Sequence, residues 1–132
     1  MKTKDDLYPL ERIRKIQQEF RRMGCAQLRD ASPQYTHVLD LEIVPRIPGG
    51  RVAGPVFPVK TDNDMLPCLQ ALDAAPPGAV LFIHNASEQS EALAGDIFVT
   101  AARQQNLGGL VVNGAVRDVD FFPELNFPVF SR

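Results

Sequence analysis

Three side chains offer the most specific chemistry in this sequence: Asp96, Arg117 and Asp118. Twenty residues, 97 through 116, lie between Asp96 and Arg117. That length accommodates a helix, a Gly108-Gly109 turn and a strand, so the chain returns close to where it left. Asp96 is then expected at the start of the helix, with Arg117 and Asp118 just beyond the carboxyl end of the returning strand, the end at which open α/β sheets bind ligands. Two carboxylates flanking a guanidinium suit a hard divalent cation and a substrate carboxylate clamped by paired hydrogen bonds. The first-turn amides of Ile97 and Phe98 lack acceptors within their own helix and can point at the same anion, with the helix dipole behind them. The same spacing also fits plainer roles, a helix cap and a surface ion pair. On spacing alone both readings stand.

The elements that must position these groups are legible from periodicity. Ala79 to Ile83 and Leu110 to Val112 are short unbroken apolar runs, and Ile97 to Gln105 reads as a helix between them. Together they form a βαβ unit over residues 79–118. Continuous rather than alternating apolar strands imply a parallel sheet covered on both faces. Upstream, Leu10, Ile13, Ile16, Phe20 and Met23 recur at steps of three or four, which predicts an amphipathic helix within residues 1–24. Pro9 suits its first turn and Gly24 the left-handed residue that ends it. Val38 to Val44 alternates as a strand, and Val52 to Lys60, holding Pro55 and Pro58, fits an edge strand or bulge. Thr61, Asp62 and Asn63 are cap candidates for a short helix carrying Met65, Leu66, Leu69 and Leu72, which Pro76, Pro77 and Gly78 close.

Composition narrows the class. With 132 residues, 45% apolar and 23% charged, the chain suits one domain and one core. A formal charge of −2 gives no global reason to bind nucleic acid or an anionic membrane. The arginines of the first helix are diluted by Glu11 and Glu19 and read as a solvated face. Cys25 and Cys68 fit neither a disulfide framework nor a paired zinc spacing, so both read as free thiols of a reducing compartment. No stretch approaches the roughly 20 apolar residues of a membrane span, and a soluble, cytoplasmic protein is expected.

The segment GDIFVTAARQQNLGGLVVNGAVRDVD, followed by FPVF, resembles the signature of the family of regulator of ribonuclease activity A and 4-hydroxy-4-methyl-2-oxoglutarate aldolase. AGPVFPV at Ala53 to Val59 and PPGAVLFI at Pro76 to Ile83 are similar to that family's glycine-proline strand and to its lead-in to the central strand. The resemblance runs from about Ala26 to Phe130. It implies an α/β fold of the three-layer β/β/α swivelling-domain kind with a central βαβ unit, shortened at the C-terminus. It further implies a metal-dependent lyase, an aldolase or oxaloacetate decarboxylase acting on a pyruvate-containing oxo acid. Asp118 would bind the metal directly and Asp96 through water, while Arg117, with the amides of Ile97 and Phe98, would grip the pyruvyl carboxylate. The cation and Arg117 would stabilise the enolate, and metal-bound water would move the proton. A ring-shaped homotrimer, or a hexamer of two such rings, is the assembly implied.

Two features of the sequence agree with a metal mechanism. Lys2, Lys4, Lys15 and Lys60 all lie outside the βαβ half, which leaves no Schiff-base lysine beside Arg117. His37 and His84 are the only histidines, too few for a histidine-rich zinc site. Oxygen ligands and Mg2+ or Mn2+ follow, and each histidine reads as structural. The departures from the pattern are equally specific. His84-Asn85-Ala86-Ser87-Glu88-Gln89 replaces an acidic residue and a glycine-rich loop, and Asn113 stands where an aspartate is frequent, altering the groups that orient Arg117. The sequence stops soon after FPVF, where relatives continue. Either Glu88 or Glu91 replaces the acid that a C-terminal segment lends to a neighbouring site, or the site is weaker, or the polypeptide is longer. The alternatives to a lyase are a non-catalytic regulator acting through protein contacts and a specialised enzyme using the same anion pocket for another enolate or acid–base step.

Overall fold

The structure, a computed structural model, describes residues 10–87 and 90–132, apart from the side chains of Leu10 and Ile13. Pro9 and Glu88 therefore lie outside the described residues. Among the described residues two helices come first, α1 (Leu10–Phe20) and α2 (Cys25–Ala31), then strands β1 (Val44–Pro45) and β2 (Val56–Thr61) and helix α3 (Leu66–Ala74). Strand β3 (Val80–Asn85), helix α4 (Asp96–Gln104) and strand β4 (Gly109–Asn113) form the expected βαβ unit. A 3-10 turn (Val119–Phe121), helix α5 (Phe122–Leu125) and strand β5 (Val129–Ser131) follow.

The five strands make one sheet in the order β1-β5-β4-β3-β2; β2 to β5 are parallel, and β1 runs antiparallel to β5. Its inner face is the core. Leu81 and Ile83 of β3, Leu110 and Val112 of β4 and Val129 of β5 pack with Leu72 of α3, Val99 of α4 and Phe122 of α5. Leu81, Ile83, Leu110 and Val112 are fully buried, as the unbroken apolar runs required. The register places Val56, Pro58, Phe82, Val111 and Phe130 on the opposite, outer face. β2, with Pro58, is an edge strand as expected.

Several expectations are corrected. Val38 to Val44 is not a strand: the Asp40 carboxylate accepts the Glu42 amide, and the Ile43 amide donates to the Asp40 carbonyl, so a local turn takes the backbone groups that a ladder needs. Only Val44 and Pro45 pair. Arg132 forms ion pairs with both Asp40 and Glu42, and the Glu42 amide and Arg132 hold the Asp40 carboxyl below the usual carboxylate range. Gly24 is not left-handed; at φ −77 it is extended and caps α2, a helix that the apolar periodicity did not reveal. In α1, Ile16 and Phe20 are more than a third exposed, whereas Gln17 is buried. Its amide donates to the carbonyls of Ala53 and Gly78. Gly54 and Gly108 leave the room for this: a Cβ on either would come within 2.5 Å of the Gly78 oxygen. Residue 106, not the glycine pair, makes the left-handed turn before β4, with Asn106 at φ 57. The cap of α3 also moves: Asp64, rather than Thr61, Asp62 or Asn63, accepts the Leu66 amide. Cys25 is exposed and Cys68 buried, both free, and burial pushes the Cys68 thiol up to about 11.

Candidate functional site

Ahead of α4, residues 92–94 lie beside the extension of β4. An isolated parallel bridge joins Ala92 to Ala115. The Leu93 amide donates to the Ala115 carbonyl at 2.9 Å, and the Arg117 amide to the Ala94 carbonyl at 3.0 Å. These bonds clamp the segment ahead of α4 against the segment ahead of Arg117, closing the twenty-residue excursion between them.

Gly95 stands at the meeting point as the N-cap of α4. Its backbone is extended (φ −142, ψ −166), a conformation open to any residue, so glycine is required here for space. A Cβ would lie 2.5 Å from Asp118 Oδ2, 3.1 Å from Arg117 Cγ and 3.3 Å from Arg117 Nε. The Asp118 carboxylate and the arginine stem thus lie directly on the helix start that Asp96 opens. Asp118 itself is left-handed (φ 60, ψ 30), a conformation uncommon outside glycine, asparagine and aspartate. It turns the chain into the 3-10 segment, where the Phe121 amide donates to the Asp118 carbonyl.

Arg117 Nε lies 3.4 Å from Asp118 Oδ2, with the two side chains 74% and 34% exposed. An ion pair this open contributes at most about 1 kcal/mol to stability, so the fold does not depend on it. Asp96 is half-buried, and its Oδ1 accepts the Ile97 amide at 2.7 Å. Of the two first-turn amides, the Ile97 donor is therefore engaged by its own neighbour. The Phe98 side chain is buried in the core, whereas Ile97 is 79% exposed. Val119 and Phe121 are exposed on the far side of Asp118. The three residues singled out by spacing are thus brought to one helix start.

Among the described residues no group of three or more His, Cys, Asp or Glu could hold a metal ion. The acids nearest the helix start, Asp96 in its first turn and Asp118 beside Gly95, offer hard oxygen ligands. That chemistry fits magnesium or manganese, which are held by one or two carboxylates with water and substrate completing the shell. Glu91 is exposed.

The two departures from the family pattern face each other. His84 and Asn113 are register partners on β3 and β4, and Asn113 Nδ2 lies 2.9 Å from His84 Nδ1. Asn113 Oδ1 is buried without a hydrogen-bond partner. Sequence reasoning missed an asparagine pair. Asn85, buried at the end of β3, accepts the Asn63 amide at 2.9 Å and donates to Asn63 Oδ1 at 2.6 Å. Asn63 is left-handed (φ 51). This reciprocal pair ties the β2–α3 loop across the carboxyl edge of the sheet. Two asparagines 22 residues apart carry no periodic signal that would have linked them.

A family model described as RraA-like, Aldolase/RraA, matches residues 25–132. A protein of Halalkalibacterium halodurans with the provisional name 4-hydroxy-4-methyl-2-oxoglutarate aldolase is 34% identical over 115 residues, 86% of this chain and 54% of that protein. A similarly named protein of Bacillus anthracis is 30% identical over 78 residues, 59% of this chain and 49% of the relative. The chain thus spans about half the length of these relatives. Among solved structures, the RNA-processing inhibitor RraA from Thermus thermophilis superposes with a TM-score of 0.75 at 25% identity, covering 83% of this chain and 66% of that one. A Geobacillus kaustophilus protein described as an S-adenosylmethionine:2-dimethylmenaquinone methyltransferase gives 0.77 at 26% identity, covering 83% and 68%. Among the described residues no helix is long and apolar enough to cross a membrane.

Proposed function

The chain belongs to the RraA-like family, Aldolase/RraA, and from that membership we propose that it is a divalent-metal-dependent carbon–carbon lyase for a pyruvate-containing oxo acid. The observation that supports this most directly is the packing of the Asp118 carboxylate and Arg117 onto Gly95, at the start of the helix that Asp96 opens. Arg117 turns its Nε to Asp118, which leaves the terminal nitrogens for the paired hydrogen bonds of a substrate carboxylate. The Phe98 amide, in the first turn of α4, adds a donor and the positive end of the helix. Magnesium or manganese, held by Asp118 and through water by Asp96, would supply the charge that offsets the electrons left on the substrate's keto oxygen when the carbon–carbon bond breaks. The other fragment departs as a carbonyl compound, or as carbon dioxide from oxaloacetate. The three-carbon fragment takes up one proton and leaves as pyruvate.

The test is pyruvate release from 4-hydroxy-4-methyl-2-oxoglutarate and from oxaloacetate with magnesium or manganese added. Acceleration by the metal, and its loss in Arg117→Ala, is the expected result. Loss of one such charge-stabilising donor costs on the order of 10²–10³ in rate. The second reading, a regulator acting through protein contacts, is favoured by the likeness to the Thermus RNA-processing inhibitor and by the exposed Ile97 and Phe121 beside the site. Absence of turnover with either oxo acid at saturating metal would select it.

A further inference from the structure

At the carboxyl edge of the sheet lies a buried polar contact that the proposed chemistry does not use. Asn85, the last residue of β3, is 3% exposed, and its register partner on β2, Thr61, is buried beside it. The Thr61 carbonyl accepts the Ala86 amide at 2.8 Å. Side chains add to this backbone tie. Asn63, in the β2–α3 loop, donates its backbone amide to Asn85 Oδ1, accepts Asn85 Nδ2 on its own Oδ1, and donates its Nδ2 to the Ser87 hydroxyl at 3.2 Å. It reaches both partners from a left-handed backbone (φ 51), which asparagine adopts more readily than most residues.

Asn85 abuts the seam that carries the candidate site. Gly114 begins the segment that leads from β4 to Arg117, and a Cβ built on it would lie 3.3 Å from Asn85 Cβ and 3.6 Å from Leu93 Cδ1. Asn85 and Leu93 therefore both press on the chain at this glycine. Leu93 is fully buried and belongs to the stretch that meets residues 115–117 through the Leu93 amide to the Ala115 carbonyl and the Arg117 amide to the Ala94 carbonyl. The next residue on one side is Gly95 and on the other Asp118. Contacts thus run from Asn63 through Asn85 to Gly114 and Leu93, and from there to the meeting of Arg117 with the start of α4. A buried amide stripped of its partners is costly, so without the Asn63 side chain Asn85 must turn or draw in water, and the packing that gives way is that of its neighbours at the seam.

We infer that Asn85, held by Asn63, is a positioning residue: it sets where the Arg117 segment meets the helix start, and so the placement of the carboxylate clamp. The nature of the anion rests on the lyase reading; the coupling to the seam does not. Asn63→Gly in the full chain removes the side chain while keeping the left-handed backbone and its amide. Hydrogen exchange followed by NMR should then quicken about tenfold at the Leu93 and Arg117 amides, which cross the seam, with the Leu110 amide at the start of β4 unchanged. Asn63→Asp still accepts from Asn85 Nδ2 and can take the Ser87 hydroxyl as a donor, so it should restore the parent's rates. With magnesium and oxaloacetate, Asn63→Gly should raise KM about tenfold and alter kcat less than about threefold, because a carboxylate clamp acts in the ground state as in the transition state; Asn63→Asp should match the parent. Unchanged exchange at Leu93 and Arg117 overturns the proposal. So does quickening that reaches Leu110 equally, which makes the pair a general brace of the fold, or a KM that stays put while the seam loosens. A parent that turns over no oxo acid removes the lyase reading alone, and the exchange rates then decide whether the pair positions the Arg117 segment.

Discussion

Gly95 constrains the candidate site through the space it leaves, since its extended backbone suits any residue. A methyl group there collides with Asp118 Oδ2 and presses on the Arg117 stem. Gly95→Ala is therefore expected to separate function from folding. Overpacking of this kind costs about 1–3 kcal/mol, and at this half-exposed position relaxation of the flanking side chains keeps the loss at the low end. The loss falls on the pocket instead: thermal stabilisation by oxalate with magnesium, expected in the parent, should disappear in the variant. Stabilisation retained at full size would mean that Asp118 and Arg117 do not act from their positions on Gly95. At this scale the sequence was informative about identity and spacing. Asp96, Arg117 and Asp118 stand out because two carboxylates flanking a guanidinium, at a spacing that returns the chain to its start, suit a cation and a substrate carboxylate. The glycine that lets them meet was read only as part of a motif, because its role depends on atoms 22 and 23 positions away.

The elements divide by where their hydrogen bonds go. The βαβ unit was legible because Val80 to Ile83 and Leu110 to Val112 are apolar without alternation, the pattern of a parallel strand covered on both faces. Val38 to Val44 alternates just as well, yet Asp40 captures the Glu42 amide and the backbone turns. Periodicity does not register that competition. Helix α1 was found by its apolar stripe, but its anchor is polar: Gln17 reaches the Ala53 and Gly78 carbonyls in a gap kept by Gly54 and Gly108. Gln17→Leu leaves two carbonyls without their donor in a space too tight for a branched side chain. Unsatisfied buried groups cost about 1–3 kcal/mol each. Hydrogen exchange should accelerate in α1 and α2 while the amides of β3 and β4 keep their protection. Uniform acceleration through the sheet would show instead that α1, α2 and the core unfold as one unit.

At the scale of the whole molecule, the site is open on the side away from the sheet. Ile97 precedes Phe98 in the first turn of α4, and Val119 and Phe121 follow Asp118; all three are exposed. Apolar side chains on both flanks of an open ion pair resemble one half of an interface, and a neighbouring subunit seated there would exclude water and strengthen every electrostatic contact inside. With the assembly that the family resemblance implies, we expect the purified chain to run as a homotrimer, or as a hexamer of two trimers, in multi-angle light scattering. Phe121→Asp places a charge where the neighbour must pack, while Phe122, next in sequence, remains the buried anchor of α5. The variant should fall to a monomer with its circular dichroism intact and lose metal-dependent pyruvate release along with the assembly. A parent protein that is monomeric yet turns over oxo acid would show that one chain completes the site, and the apolar flanks would then serve the distal part of the substrate.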